Sequence, residues 1–260
     1  MSGCLIFDCD GVLGDTEQHG HLPAFNQMWA ALGVPWQWSV EDYGRKLKIG
    51  GGKERMASLF AEAEFRRVFP VPDAEAARRE LLATWHKKKS EIFQGLVNSG
   101  RIPARPGIRR LAREALDQGW RLAVASTSAP ESVEAMLRHA VGAETAARFD
   151  FVLGGDVVAK KKPAPDIYLL AAARFGVSPA RCVVIEDSNN GLVAAKAAGM
   201  ACIVTVSGYT HDEDFSSADL ILSCLGDPEG ERAQVLANRS RARPNGWLRV
   251  EDLRHFVATS

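Results

Sequence analysis

No apolar run in this chain approaches the roughly 20 residues that a bilayer-spanning helix needs, so no membrane is expected as a partner. Net charge is missing too, because 32 Lys and Arg balance 32 Asp and Glu. Without a basic excess, no nucleic acid is expected as a partner. Cysteine is scarce: Cys4, Cys9, Cys182, Cys202 and Cys224 form an odd set without metal-ligand spacing. They read as reduced, buried thiols in a reducing compartment. Cys9, lying between two acids, reads as a filler position open to oxidation. No basic region precedes the strand-like run that begins at residue 4, so no targeting segment is expected within this numbering.

What is present suits one large domain, or a core with an insert: 260 residues, 46% of them apolar. Strand-like runs occur at 4–7, 121–125, 151–153, 182–185 and 202–206. Helical patterns at 108–118, 130–139, 165–175 and 192–198 separate the later ones, and Gly119, Gly176 and Gly199 mark helix ends. This alternation predicts an α/β fold with a doubly wound parallel sheet, whose ligands bind beyond the carboxyl ends of the strands. The polar clusters fall at those ends: Asp8 with Asp10, then 126–128, 160–162 and 186–188.

About a hundred residues separate the first strand from the second, far more than a usual crossover. Their apolar residues recur at helical spacing: Phe25, Met28, Trp29 and Leu32, then Met56, Leu59, Phe60 and Ala63, then Leu81, Leu82, Trp85 and Ile92. Residues 17–103 are therefore predicted to be an inserted helical cap domain, with 1–16 and 104–260 forming the α/β core domain. The Trp and Phe of the insert are expected to be its own core. Residues 220–224 read as one more edge strand, 226–246 as a polar surface excursion, and 247–257 as a terminal segment that packs back.

Asp8-Cys9-Asp10-Gly11 follows the first strand-like run. Side chains alternate with a period of two along extended chain, so both acids can face one spot. Alone, such a sequence is also ordinary turn chemistry. Its weight comes from the other strand ends. Phosphoryl transfer to a carboxylate needs a nucleophile, an acid/base, donors for phosphate oxygens and a metal. Asp8 suits the nucleophile. Asp10 suits the acid for the leaving alkoxide and then the base for water. Ser126 and Thr127 suit phosphate oxygens, although either could equally cap the next helix. Lys162 ends a run of three lysines that would ordinarily be solvated. Pro163 and Pro165 fix the local chain, however, and can hold Lys162 inward as a fixed charge. Glu186 and Asp187 offer hard oxygen atoms suited to Mg²⁺, with Asp187 as the ligand, Glu186 orienting it and Ser188 in support.

In this order the four segments resemble the haloacid dehalogenase superfamily of phosphotransferases. The matching residues are Asp8-x-Asp10-Gly11-Val12-Leu13-x-Asp15-Thr16-Glu17, Ser126, Lys162-Pro163-x-Pro165-Asp166-x-Tyr168 and Glu186-Asp187-Ser188-x-x-Gly191. The insert resembles that of the subclass with a helical cap. Leu47-Lys48-Ile49-Gly50-Gly51-Gly52-Lys53-Glu54-Arg55-Met56 is similar to the CbbY-type family of plants and bacteria, as are Gly154-Gly155-Asp156-Val157-Val158 and Ser207-Gly208-Tyr209-Thr210. The resemblance spans nearly the whole chain, with only about 227–246 expected to be loosely held.

This resemblance implies a Rossmann-like core of haloacid dehalogenase type. It also implies a Mg²⁺-dependent phosphatase that works through an aspartyl-phosphate. The Mg²⁺ ligands are then expected to be Asp8, Asp10 and Asp187. The implied substrate is a small sugar bisphosphate, xylulose-1,5-bisphosphate. Its product is xylulose 5-phosphate, and the reaction clears an inhibitor of Rubisco. A monomer is expected. The plant-like detail implies the chloroplast stroma, with a transit peptide outside this chain; the alternative is a bacterial cytoplasm. On the same resemblance, Gly51, Gly52 and Lys53, with Lys48 and Arg55, grip the phosphate that is not cleaved, while Glu17 and His21 hold sugar hydroxyls. Read without it, those basic residues are a solvated loop. Gly14 stands where relatives often carry a larger residue, which implies a looser hinge.

A mutase resembling β-phosphoglucomutase would use the same groups and return the phosphoryl group to sugar. A non-catalytic assembly module is disfavoured because Asp8, Asp10 and Asp187 are all present. A dehalogenase would leave Asp10 with no alkoxide to protonate.

Overall fold

The computed structural model describes residues 2–49 and 51–258. The chain forms two compact units, Met1–Asp15 with Pro103–Ser260, and Thr16–Ile102. Among the described residues, no helix is long and apolar enough to cross a membrane, and all five cysteines are free and buried.

The first unit is built on a sheet of β1 (Cys4–Phe7), β2 (Arg121–Ala125), β3 (Phe151–Leu153), β4 (Cys182–Glu186), β5 (Ala201–Thr205), β6 (Leu220–Leu222) and β7 (Val235–Asn238). Their spatial order is β3-β2-β1-β4-β5-β6-β7. All neighbours are parallel except β6 and β7. β1 is a continuous apolar run because both of its faces are covered; Leu5, Ile6 and Phe7 are each 0% exposed. Burying each of these side chains is worth about 1.5–3 kcal/mol. On one face, Ile6, Val184 and Cys202 share a core with Ile167 and Phe175 of helix Asp166–Phe175 and with Leu192 of helix Asn189–Ala197. The doubly wound parallel sheet expected from the alternating pattern is therefore present. From β1 the chain winds outward through β2 and β3, then returns to β4 on the other side of β1. Strand order thus reverses between β1 and β4, and in such sheets the crevice beyond that point takes the ligand.

The polar stretch after residue 226 departs from expectation. Val235–Asn238 is a strand, antiparallel to β6 at the sheet edge. Its residues are mostly exposed, with Leu236 at 52%, so no buried face imposed an alternating pattern. Nor is 227–246 loosely held. Asp227 Oδ2 accepts the Gly107 amide at 2.8 Å, Arg110 Nη2 donates to Gly226 O at 2.8 Å, and the Arg243 amide donates to Asp252 Oδ1 at 3.0 Å. Beyond it, Leu248, Val250 and Leu253 are fully buried.

Where the chain leaves and re-enters the sheet unit, its two passages are tied together. The Asp15 amide donates to Pro103 O at 3.0 Å and the Arg105 amide to Leu13 O at 3.1 Å, while Gly14 bridges Ala104 in antiparallel sense. Gly14 does not loosen this point. It is buried, and a Cβ there would lie 2.7 Å from Met136 Cε, so the methionine already fills the space.

The second unit is helical, with helices Leu22–Ala31, Val40–Leu47, Gly52–Ser58, Ala63–Val68 and Glu75–Asn98 among the described residues. Its aromatic residues form its core. Trp29 meets Trp38 edge-on at 4.6 Å, and Trp85 meets Phe65 at 6.1 Å. In the long helix the buried face is Trp85, Lys89, Phe93, Leu96 and Val97. Of the expected face, Trp85 is buried, whereas Leu81, Leu82 and Ile92 are only half-buried. The run Lys87-Lys88-Lys89 hid the true face, because Lys89 sits one helical turn from both Trp85 and Phe93.

Candidate active site

Asp8 is the residue after β1. Its amide continues the ladder by donating to Ile185 O of β4 at 3.0 Å. Its carboxylate therefore starts from the strand end at the reversal point, only 8% exposed. Across from it, β4 ends in Glu186, and Asp187 follows. Lys162 arrives from the loop before helix Asp166–Phe175. Its Nζ donates to Asp8 Oδ1 at 2.6 Å, Glu186 Oε1 at 2.6 Å and Ala125 O at 3.1 Å. An ammonium has three donors, and each has an acceptor here. Lys162 is thus buried and fixed, while Lys160 and Lys161 are exposed.

Glu186 is 0% exposed and fully engaged. Its Oε1 also accepts from Tyr168 OH at 2.5 Å, and its Oε2 accepts from the Asp187 amide at 3.1 Å and Ser188 Oγ at 3.2 Å. Ser188 in turn caps helix Asn189–Ala197 by accepting the Gly191 amide. Two glycines permit this crowding. A Cβ at Gly191 would lie 1.9 Å from the Glu186 carboxylate. One at Gly11, where φ is +74°, would lie 1.9 Å from Asp187 Oδ2.

Oxygens of Asp8, Glu186 and Asp187 lie within 4.8 Å of one another. With Asp10 nearby in the chain, these carboxylates outnumber the single ammonium. Burial pushes the Asp8 carboxyl up to about 7; Lys162 opposes that shift, while Glu186 and Asp10 add to it. Burial would depress the Lys162 ammonium, but Asp8 and Glu186 outweigh it and hold it above the usual lysine range. Excess negative charge on hard oxygen atoms fits a divalent cation such as Mg²⁺. Glu186 already meets four donors, so Asp8 and Asp187 are the better placed to hold it. Asp10 lies outside that cluster, and its Oδ2 accepts a short hydrogen bond from Ser128 Oγ.

Ser126 ends up buried just past β2, its amide bonded to Leu153 O at 3.0 Å and its Oγ accepting the Ser128 amide at 3.1 Å. Thr127 is exposed. Neither caps the next helix, whose N-cap position is Ala129. In the helical unit, Glu17 and His21 bound one turn of π-helix. Glu17 accepts from Tyr43 OH, and His21 Nδ1 meets Lys89 Nζ at 2.7 Å with its ring stacked 4.0 Å from Phe93. Lys48, Gly51 and Lys53 are exposed; Gly52 opens helix Gly52–Ser58 and Arg55 is half-buried. Gly50 lies outside the described residues. Sequence reasoning gave no role to Tyr168, Ser128, Tyr43 or Lys89. Tyr168 and Ser128 stood inside recognised segments; Lys89 was hidden in a lysine triplet, and Tyr43 belongs to none of the apolar sets read from the insert.

The haloacid dehalogenase-like hydrolase profile matches residues 3–199. A CBBY-like protein of Arabidopsis thaliana is 48% identical over 232 residues, covering 89% of this chain and 72% of that protein. Protein CbbY of Cereibacter sphaeroides is 43% identical over 230 residues, covering 88% and 95%. The crystal structure of a CbbY mutant from Rhodobacter sphaeroides in complex with xylulose-(1,5)bisphosphate superposes with a TM-score of 0.74 at 43% identity, covering 86% of this chain and 95% of that one.

Proposed function

Because the chain belongs to the haloacid dehalogenase-like hydrolase family and is a phosphatase, we propose that it hydrolyses a sugar bisphosphate, xylulose-1,5-bisphosphate, to xylulose 5-phosphate and phosphate. The observation that carries this reading is the buried Asp8–Lys162–Glu186 cluster at the reversal point, in a chain 43% identical to a protein that binds that bisphosphate. One Asp8 oxygen attacks phosphorus, forming an aspartyl-phosphate as the bond to the sugar oxygen breaks. Asp10 gives its proton to that leaving oxygen. It then takes a proton from water, whose oxygen attacks phosphorus and frees Asp8 and inorganic phosphate. Lys162, Ser126 and Thr127 hold phosphate oxygens throughout. Asp8 and Asp187 would hold Mg²⁺, which would neutralise phosphate charge when bound; the expected third ligand, Asp10, lies outside the cluster of Asp8, Glu186 and Asp187 and is kept for the proton.

Thr16–Ile102 serves in this reading as the specificity domain. Glu17 and His21 hold sugar hydroxyls, and Lys48, Gly51, Gly52, Lys53 and Arg55 hold the phosphate that stays. The chloroplast stroma is the proposed compartment, in line with the 48% identity to a plant protein, with a bacterial cytoplasm as the alternative given the bacterial relatives; the monomer is the proposed working species.

Phosphate release from a panel of pentose and hexose mono- and bisphosphates tests the substrate. Xylulose-1,5-bisphosphate is expected to give the highest kcat/KM, with release abolished by chelation and restored by Mg²⁺. Asp187→Ala is expected to raise the Mg²⁺ concentration needed for half-maximal activity. Activity that survives thorough chelation, or an Asp187→Ala enzyme with unchanged Mg²⁺ dependence, removes the metal from the reading. Phosphoryl return to sugar in place of phosphate release would make the enzyme a mutase.

A second expected result concerns Lys53. Lys53→Ala should raise KM for the bisphosphate about tenfold, the loss of one charge-assisted contact, and change kcat/KM for p-nitrophenyl phosphate far less. An equal loss with both substrates would assign Lys53 to folding or general closure.

A further inference from the structure

We propose that the buried hydroxyl of Tyr43 is a positioning group that sets the spacing between Glu17 and Arg55, and through them the selectivity for a bisphosphate. The inference rests on the assignment of those two residues to substrate under the proposed function, and adds what aligns them. Tyr43 lies in helix Val40–Leu47 with its ring fully buried, 5.9 Å from Phe25 and 5.7 Å from Trp38. Its OH donates to Glu17 Oε2 at 2.5 Å and accepts from Arg55 Nη1 at 3.0 Å. One oxygen thereby links three segments: the π-helical turn, helix Val40–Leu47 and helix Gly52–Ser58.

Both partners are anchored by one half only. Glu17 uses Oε2 for Tyr43 and for Arg55 Nη1 at 3.9 Å. Arg55 uses Nη1 for Tyr43 and Nε for Ile49 O at 2.9 Å. Among the described residues, Glu17 Oε1 and Arg55 Nη2 take no hydrogen bond. The pair therefore presents one acceptor and one donor at a separation fixed by a rigid phenol. An acceptor suits a sugar hydroxyl, and a guanidinium nitrogen suits a phosphate oxygen. Both side chains are mostly buried, with 20% exposure for Glu17 and 15% for Arg55. Neither can swing freely, so the spacing acts as a gauge of how far the second phosphate lies from the hydroxyls. A substrate without that phosphate gains little from the gauge.

Tyr43→Phe removes the one atom and keeps the ring. In the full-length enzyme, the ratio of kcat/KM for xylulose-1,5-bisphosphate over p-nitrophenyl phosphate is expected to fall about tenfold. The loss should appear mainly in KM for the bisphosphate. The melting temperature should shift by only a few degrees, since the ring packing survives. A ratio within twofold of wild type, or equal losses with both substrates, overturns the role of the hydroxyl. A wild-type enzyme that does not turn over the bisphosphate overturns the substrate assignment, and the gauge with it. A wild type that does so, paired with an indistinguishable Tyr43→Phe, overturns the gauge alone.

Discussion

An Asp8→Asn enzyme is expected to fold normally and to turn over at less than about a hundredth of the wild-type rate, a barrier increase of at least roughly 2.7 kcal/mol. The fold should hold because the asparagine oxygen can still accept from Lys162, and because the Asp8 backbone bond to Ile185 does not depend on the side chain. The chemistry should fail because a neutral amide is a poor nucleophile and forms no stable acyl phosphate. Two measurements check this: kcat with the bisphosphate, and acid-quench trapping of phosphoprotein, which the wild type should show and the variant should not. A variant that keeps more than a hundredth of kcat would take the nucleophile's role away from Asp8.

The second large effect should come from Asp10→Asn, and it should depend on the leaving group. Positioned acid/base catalysis contributes about 10²–10⁴-fold. Loss of the Asp10 proton should therefore slow phosphoryl transfer from a sugar phosphate by about that factor. p-Nitrophenolate leaves without protonation, so the burst of transfer from p-nitrophenyl phosphate should slow much less. Both substrates should then share a slowed second step, because water still needs its base. The contact from Ser128 to Asp10 can be kept by an asparagine oxygen, so the substitution tests the proton and not the placement. Bursts slowed equally for the two substrates would mean that Asp10 acts on the fold or on phosphate, and not on the departing oxygen.

The sheet was legible because each buried parallel strand is a short apolar run that ends in polar residues, and the chemistry sits at those ends. Asp8, Lys162, Glu186 and Asp187 could be named before their distances were known. β7 could not be read: at an exposed edge, Val235 and Leu236 answer to backbone pairing rather than to a core. Charge misled where burial was decisive. Lys162 and Lys89 each end a lysine triplet that looks solvated, yet the first meets three acceptors and the second is 8% exposed against His21 and two aromatic rings. Tyr43 was missed for another reason. Its ring is buried in the helical unit while its hydroxyl bonds Glu17 and Arg55, and a single tyrosine among charged residues gives no apolar period to read.

The tied passages at Asp15 and Pro103 bear on how such an enzyme can be assembled from genetic parts. Their backbones are joined by a hydrogen bond of 3.0 Å, so the 87 residues of Thr16–Ile102 begin and end at neighbouring points. To the sheet, that stretch is a loop whose length and content are immaterial, and a turn of a few residues could span the same gap. The strand ends that carry Asp8, Ser126 and Asp187, and the loop that carries Lys162, all come from outside it. Recombination could replace the stretch in one event and leave the reacting groups where they are. On the proposed role of that stretch, substrate choice and reaction type would then be inherited separately, as two exchangeable cassettes in one reading frame.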